Sequence, residues 1–187
     1  AAGPGPGGAF LRTPDGSRYA FGGGLTLHGS ADTLDDLGAP TFLAVRQQQF
    51  VLRYETQMQL SGHADAAAGL TIFPTNEHHY EPLARPAESG LAGQLRRRAV
   101  DMQTLSEPVV FENTGTLVLR IEAERMKYTF LAGPDASRLR VIGTGSTQLL
   151  STECMNCTFT GCFAGMFAEG DCTAHFADFS VEEAREA

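Results

Sequence analysis

The sequence predicts an all-β chain folded as a two-sheet antiparallel β-sandwich. Three observations predict it. Several stretches alternate apolar and polar residues with a period of two, the spacing of a strand with one dry face. Turn-forming clusters recur between those stretches. No amphipathic run of ten or more residues carries the 3.6-residue period of a helix. Many short strands, regular turns and no helices are the pattern of a sandwich.

Taken in order, residues 1–9 open Ala1-Ala2-Gly3-Pro4-Gly5-Pro6-Gly7-Gly8 and read as a linker or a processed N-terminal segment. Residues 10–187 read as one β-sandwich domain, because no composition break divides them and the length suits a single core. Pro14-Asp15-Gly16 and Gly22-Gly23-Gly24 are turns, and residues 34–37 are one short turn of helix. The longest strand covers residues 49–60. Phe50, Leu52, Tyr54, Thr56, Met58 and Leu60 share its dry face, opposite Gln49, Val51, Arg53, Glu55, Gln57 and Gln59. Residues 69–73 form a short apolar strand that ends at the turn Pro74-Thr75-Asn76. After Asn113-Thr114-Gly115, Leu117, Leu119, Ile121 and Ala123 repeat the alternation. A hairpin at Glu124-Arg125 turns them back into Met126, Tyr128 and Phe130, which end near Gly133-Pro134-Asp135. Phe159, Phe163 and Phe167 alternate on one face, and Ala177, Phe179 and Val181 form the last strand.

Charge and cysteine usage narrow the function. With 14 Lys+Arg against 22 Asp+Glu, the net charge of −8 repels phosphate backbones and excludes a nucleic-acid partner. No apolar run approaches the length of a membrane-spanning helix. Cys154, Cys157, Cys162 and Cys172 crowd together in a small acidic domain, which points to disulfides and a secreted, extracellular protein. Four cysteines allow three pairings. Buried free thiols, or a zinc site built on Cys154-x-x-Cys157, are the competing readings. Asn156-Cys157-Thr158 is a glycosylation sequon, also consistent with secretion.

Several segments together carry a resemblance. Phe42-Leu43-Ala44-Val45-Arg46-Gln47-Gln48-Gln49-Phe50 is followed by a Thr-bearing strand. Ala68-Gly69-Leu70-Thr71-Ile72-Phe73 leads into Asn76-Glu77-His78-His79-Tyr80. Then come Leu117-Val118-Leu119-Arg120-Ile121-Glu122, Tyr128-Thr129-Phe130, and Phe159-Thr160-Gly161-Cys162-Phe163-Ala164-Gly165-Met166-Phe167, with Ala177-Asp178-Phe179 behind. Over residues 10–183 this order resembles the C-terminal concanavalin A-like β-sandwich of glycoside hydrolase family 43, the β-xylosidase and α-arabinofuranosidase group. The resemblance implies a jelly-roll sandwich whose catalytic machinery, three acidic residues, sits on a separate N-terminal five-bladed propeller that this sequence lacks. It implies a domain that braces the propeller and lends an aromatic side chain to the substrate-pocket rim. Phe159 is the matching position and Phe163 the neighbouring one. Xylan- or arabinoxylan-type saccharides are the implied substrate. The clustered cysteines depart from the family pattern and surround this loop.

The chain's own chemistry agrees with an accessory role. Glycoside hydrolysis needs two carboxyl groups about 5–10 Å apart, one with a raised pKa. Glu122 and Glu124 share a strand face, but Arg120 and Lys127 beside them favour ionisation, and Glu182-Glu183 lies in the tail. Ser151, His175 and Asp178 make a triad only on paper, because no nucleophile elbow frames a serine. Gly143-Thr144-Gly145-Ser146 lacks the helix a phosphate cradle needs. No catalytic residue is therefore assigned. Adjacent His78 and His79 point to opposite strand faces and cannot easily chelate one ion, so His79 beside core Tyr80 reads as solvent-facing. No cofactor is required; Asp178 on the last strand is the candidate ligand for a structural calcium. Arg46, Gln47 and Gln48 can bond sugar hydroxyls or tie the sandwich to its propeller, with the domain contact favoured. The absence of Trp, and the placement of most of the 12 Phe and 4 Tyr on core positions, counts against the alternative of a self-standing lectin-like carbohydrate-binding protein.

Overall fold

The structure, a computed structural model, describes residues 7–155 and 161–183. The alternating stretches are strands. In chain order they are β1 (Gly8–Ala9), β2 (Tyr19–Phe21), β3 (Leu25–His28), β4 (Thr41–Arg46), β5 (Leu52–Gly62), β6 (Ala67–Thr75), β7 (His78–Ala87) and β8 (Gly90–Ala99). There follow β9 (Met102–Leu105), β10 (Val109–Glu112), β11 (Thr116–Ala123), β12 (Lys127–Gly133), β13 (Arg140–Ser146), β14 (Phe163–Glu169) and β15 (Cys172–Glu183). Short 3-10 turns occupy Gly16–Arg18 and Thr147–Leu150.

Two antiparallel sheets result. The first has the order β1-β4-β14-β6-β7-β8-β10, with β9 also on β8; the second is β13-β12-β11-β5-β15-β3-β2. The β11–β12 hairpin closes as the sequence predicts, Ala123 opposite Tyr128 and Glu124 N–H donating to Lys127 O at 2.9 Å. Between the sheets, Leu70, Ile72, Tyr80, Leu95 and Met166 of the first meet Leu27, Tyr54, Met58, Leu119, Phe130 and Phe176 of the second. Each such burial contributes about 1.5–3 kcal/mol before entropy is counted.

The first sheet is buried on its outer face as well. Phe42, Ala44, Ala67, Phe73, Leu83 and Phe167 form a second apolar cluster there, capped by Leu34. Leu34 belongs to a strap, residues 29–40, laid across the sheet. This second layer explains why β6 is buried along nearly its whole length and shows no alternation.

Four expectations change in detail. Residues 34–37 lie in a turn closed by Asp36 N–H donating to Thr33 O at 3.2 Å, because the Asp36 carboxylate also accepts from Thr33 N–H and Oγ1 and winds the chain locally. Phe50 and Met126 continue the core phase in sequence, yet they are 69% and 73% exposed: pairing starts only at Leu52 and Lys127, so both sit on connections beyond the sheets. In β15 the buried residues are Cys172, Ala174 and Phe176; a bulge between Ala177 and Ser180, with Asp178 at φ 55°, then shifts the phase so that Phe179 packs on the core. Ordered pairing begins inside the segment read as a linker, with Gly8 opposite Val45 and Ala9 opposite Ala44.

The disulfide expectation is corrected. Cys154, Cys162 and Cys172 each carry a free thiol. Cys162 and Cys172 stand at opposite ends of the seven-residue strand β14, about 20 Å apart at 3.3 Å per residue, where a disulfide needs Cα atoms within about 7 Å. Cys172 Sγ instead packs at 3.4 Å from Glu169 O inside the core. Cys157 and the sequon asparagine Asn156 lie outside the described residues.

Candidate functional site

At one end of the sandwich three connections converge. Residues 47–51 cross from β4 in the first sheet to β5 in the second. The β11–β12 turn and the Thr147–Leu150 turn after β13 stand beside them. With Cys162 at the foot of β14 they line an open concavity of about 690 Å³.

Its floor is uncharged. The Tyr128 hydroxyl donates to Gln47 Oε1 at 3.2 Å, and burial holds its pKa well above the usual phenol value. Cys162 Sγ lies 3.8 Å from Leu150 O, and burial pushes its thiol up to about 11. Exposed Phe50 and Met126 stand on its rim. The Arg125 guanidinium sits 5.7 Å from the Phe50 ring centroid, a cation–π placement. Gln47 Nε2 donates to Gln49 O at 2.9 Å, which shapes the 47–51 connection. Thr147 Oγ1 donates to Arg125 O at 2.8 Å and Thr147 N–H to Met126 O at 3.2 Å, so the hairpin and the 3-10 turn are braced together. Ser146 caps that turn by accepting from Gln148 N–H at 3.2 Å. Glu124, Arg125 and Glu153 complete the lining, so the surface offers shape, stacking, amide hydrogen bonds and a few charged groups.

The sequence-derived candidates distribute unevenly. Phe159 lies outside the described residues, but both flanks of its segment, Ser151 and Glu153 on one side and Cys162 on the other, line the concavity. Phe163 faces the strap-side cluster of the first sheet, where the Arg46 guanidinium sits 4.7 Å from its ring. Gln47 and Gln48 line the concavity, and exposed Arg46 precedes them. Asp178 is exposed at the β15 bulge; among the described residues no group of three His, Cys, Asp or Glu is arranged for a metal. Glu122 pairs with Arg53 at 3.9 Å and Arg120 at 3.8 Å, and Glu124 with Lys127 at 3.8 Å. The paper triad is not assembled: Ser151 borders the concavity, while His175 Nδ1 shares a 2.9 Å hydrogen bond with Thr26 on the second sheet. Phe50 was missed as a rim residue because its phase matches the core face; only the start of pairing at Leu52 takes it out.

A second polar constellation lies under the strap. His79 is fully buried, contrary to the solvent-facing expectation, and stacks at 5.5 Å on Phe73. Its Nε2 lies 2.8 Å from Glu81 Oε1 and 3.3 Å from Asp35 Oδ1, off the line of well-directed hydrogen bonds, so charge holds the contact. Burial alone would push its pKa down; the facing carboxylates outweigh that and raise it to about 9. Arg96 bridges the buried Glu81 and Glu169, bonding Glu81 Oε2 through Nε at 2.9 Å and Glu169 Oε2 through Nη2 at 2.7 Å. Gln103 Nε2 donates to Asp35 Oδ2 at 2.8 Å, and Arg98 Nε stands 3.8 Å from Asp35. Every charge faces an opposite one, as an interior ion requires. The network pins the strap to the sheet and leaves no open site. His78, on the opposite strand face, is buried too.

Comparisons with known proteins agree with this architecture. Residues 5–182 match the family described as the β-xylosidase C-terminal concanavalin A-like domain. The chain is 28% identical over 176 residues to the non-reducing end α-L-arabinofuranosidase BoGH43B of Bacteroides ovatus, covering 91% of this chain and 33% of that protein. Among solved structures, the Bacteroides ovatus xyloglucan PUL GH43B superimposes with a TM-score of 0.86 at 26% identity, over 96% of this chain and 37% of that one. The GH43 BlXynB protein of Bacillus licheniformis gives a TM-score of 0.88 at 19% identity, over 95% of this chain and 37% of that one. The chain therefore spans about a third of the length of these relatives.

Proposed function

Because the chain belongs to the family of β-xylosidase C-terminal concanavalin A-like domains, the C-terminal sandwiches of glycoside hydrolase family 43, we propose that it braces a catalytic propeller and narrows that propeller's substrate pocket. One observation carries this reading: both flanks of the segment bearing Phe159 line an open concavity on whose rim Phe50 and Met126 stand exposed. A wall of that kind positions a substrate by contact and excluded volume, and the paired carboxyl groups that hydrolysis needs are those of the propeller. The substrate class is a xylan- or arabinoxylan-type saccharide released outside the cell, in keeping with the arabinofuranosidase named among the relatives. The lectin-like alternative is disfavoured, since Leu34 of the strap packs on the outer face of the first sheet over β4, β14, β6 and β7.

The test is kinetic. In the assembled glycosidase, Phe159→Ala raises KM for arabinoxylan oligosaccharides or lowers kcat several-fold, while the melting temperature holds. Unchanged kinetics would retire the pocket-shaping role.

A further inference from the structure

We propose that β13 is a pairing edge for a second copy of this chain, and that Arg97 and Tyr80 hold it shut by passing beneath Gly143 and Gly145. The accessory role is not needed for this, and the segment Gly143-Thr144-Gly145-Ser146, unfit as a phosphate cradle, acquires a use.

A terminal strand presents unpaired N–H and C=O groups that template another strand. Among the described residues most terminal strands are blunted by shortness: β1 has two residues, β2 three, β9 and β10 four each. β13 ends the second sheet with seven. Residues 141–150, which cover most of it and the turn behind it, carry no charge. An identical strand laid against it antiparallel would meet no repulsion there.

The outward groups of β13 follow from its pairing. Thr147 N–H donates to Met126 O at 3.2 Å, and Gly145 and Gly143 stand opposite Tyr128 and Phe130. Bonding alternates along an antiparallel ladder, so these residues face β12 while Thr144 and Ser146 turn their backbone groups outward. Both outward carbonyls are occupied. Arg97 donates to Thr144 O through Nε at 3.0 Å and Nη2 at 2.8 Å, and the Tyr80 hydroxyl donates to Ser146 O at 2.9 Å. The two side chains belong to β8 and β7 of the other sheet. They reach the edge because the residues above them lack side chains: a Cβ at Gly143 would lie 2.6 Å from Leu95 Cδ2 and 3.0 Å from Arg97 Nη2, and one at Gly145 2.5 Å from Tyr80 Cε2. A register shift between Phe130 and Leu131 leaves Ile142 without an opposite residue and interrupts the edge again.

The occupant is a second copy because the edge is complementary to itself. A two-fold axis at Gly145 sets Thr144 of one copy against Ser146 of the other, and each such pair would exchange an N–H and a C=O bond. With the carbonyls taken, half of those bonds cannot form.

Residue-resolved hydrogen exchange of the parent chain tests the geometry. Amides of Thr144 and Ser146 should exchange at least about tenfold faster than those of Gly143 and Gly145. Equal protection at all four would mean that the edge is already covered, which overturns the proposal. Sedimentation velocity from micromolar to millimolar concentration tests the lock. The parent stays monomeric, Arg97→Ala self-associates at least about tenfold more strongly, and adding Tyr80→Phe strengthens the association. Thr144→Pro deletes an outward N–H and no bond to β12, so placed on Arg97→Ala it returns the chain to monomer. A folded Arg97→Ala/Tyr80→Phe chain that stays monomeric, or association that Thr144→Pro leaves intact, overturns the assignment.

Discussion

His79 shows how one side chain couples charge to packing. Its folded pKa of about 9 stands above the ordinary value of 6.5, so its contribution is complete below pH 6.5 and is lost as the pH climbs from 6.5 through about 9. A shift of this size is worth about 3 kcal/mol. Asp35 and Glu81 are held below their ordinary values of 3.8 and 4.5 by His79 and the arginines, although burial opposes this for both. Their contribution is present above those values and is lost as the pH falls through the lowered ones. Urea unfolding of the chain between pH 6 and 9.5 should therefore show a decline of about 3 kcal/mol. His79→Gln should flatten that decline; an unchanged slope would assign it to other groups. The residue itself was visible in the sequence, and its strand-face logic correctly separated it from His78. Its burial was not visible, because the carboxylates that neutralise it come from Asp35, 44 positions away, and from Glu81 on the same strand.

At the scale of elements, the strap is the feature that local pattern conceals. Residues 29–40 contain Gly29, Gly38 and Pro40, and the sequence offers there only one short turn of helix at 34–37. In the fold they pack on the outer face of the first sheet, through Leu34 at 1% exposure and through the Asp35 contacts. Arg12 reinforces them from the N-terminal side, donating to Gly38 O at 2.9 Å and Asp36 O at 3.1 Å. Leu34→Ala removes the cap of a closed apolar cluster and should cost about 2–5 kcal/mol. Denaturant unfolding measures the loss, and thermolysin cleavage within residues 29–40 should appear at temperatures where the parent chain resists. Equal stability and equal cleavage would mean that the strap is not anchored by this side chain. Gly24 illustrates the other kind of local requirement. It turns β2 into β3 at φ 127°, and an added Cβ would lie 2.4 Å from Phe176 O, so the third glycine of Gly22-Gly23-Gly24 has a packing reason as well as a turn reason.

For the whole molecule, stability comes from two sheets burying one shared core, and the described thiols cross-link nothing. A reducing agent should leave the melting temperature within about 1 °C, whereas losing a native disulfide would lower it by about 4–15 °C. A drop of that size would show a cross-link. The cysteine expectation failed for a reason of scale: proximity in sequence is not proximity in space when an extended strand separates Cys162 from Cys172.

By itself the sequence determined the fold class, the long β5 strand, the β11–β12 hairpin and the family resemblance, because each is written in period-2 alternation, turn chemistry or ordered local segments. The tertiary structure alone decided that Phe50 and Met126 stand in solvent, that His79 is an interior cation and that a loop serves as a second layer. Those outcomes depend on where pairing stops and on which distant carboxylate or leucine arrives, and a pattern that repeats every two residues carries no record of either.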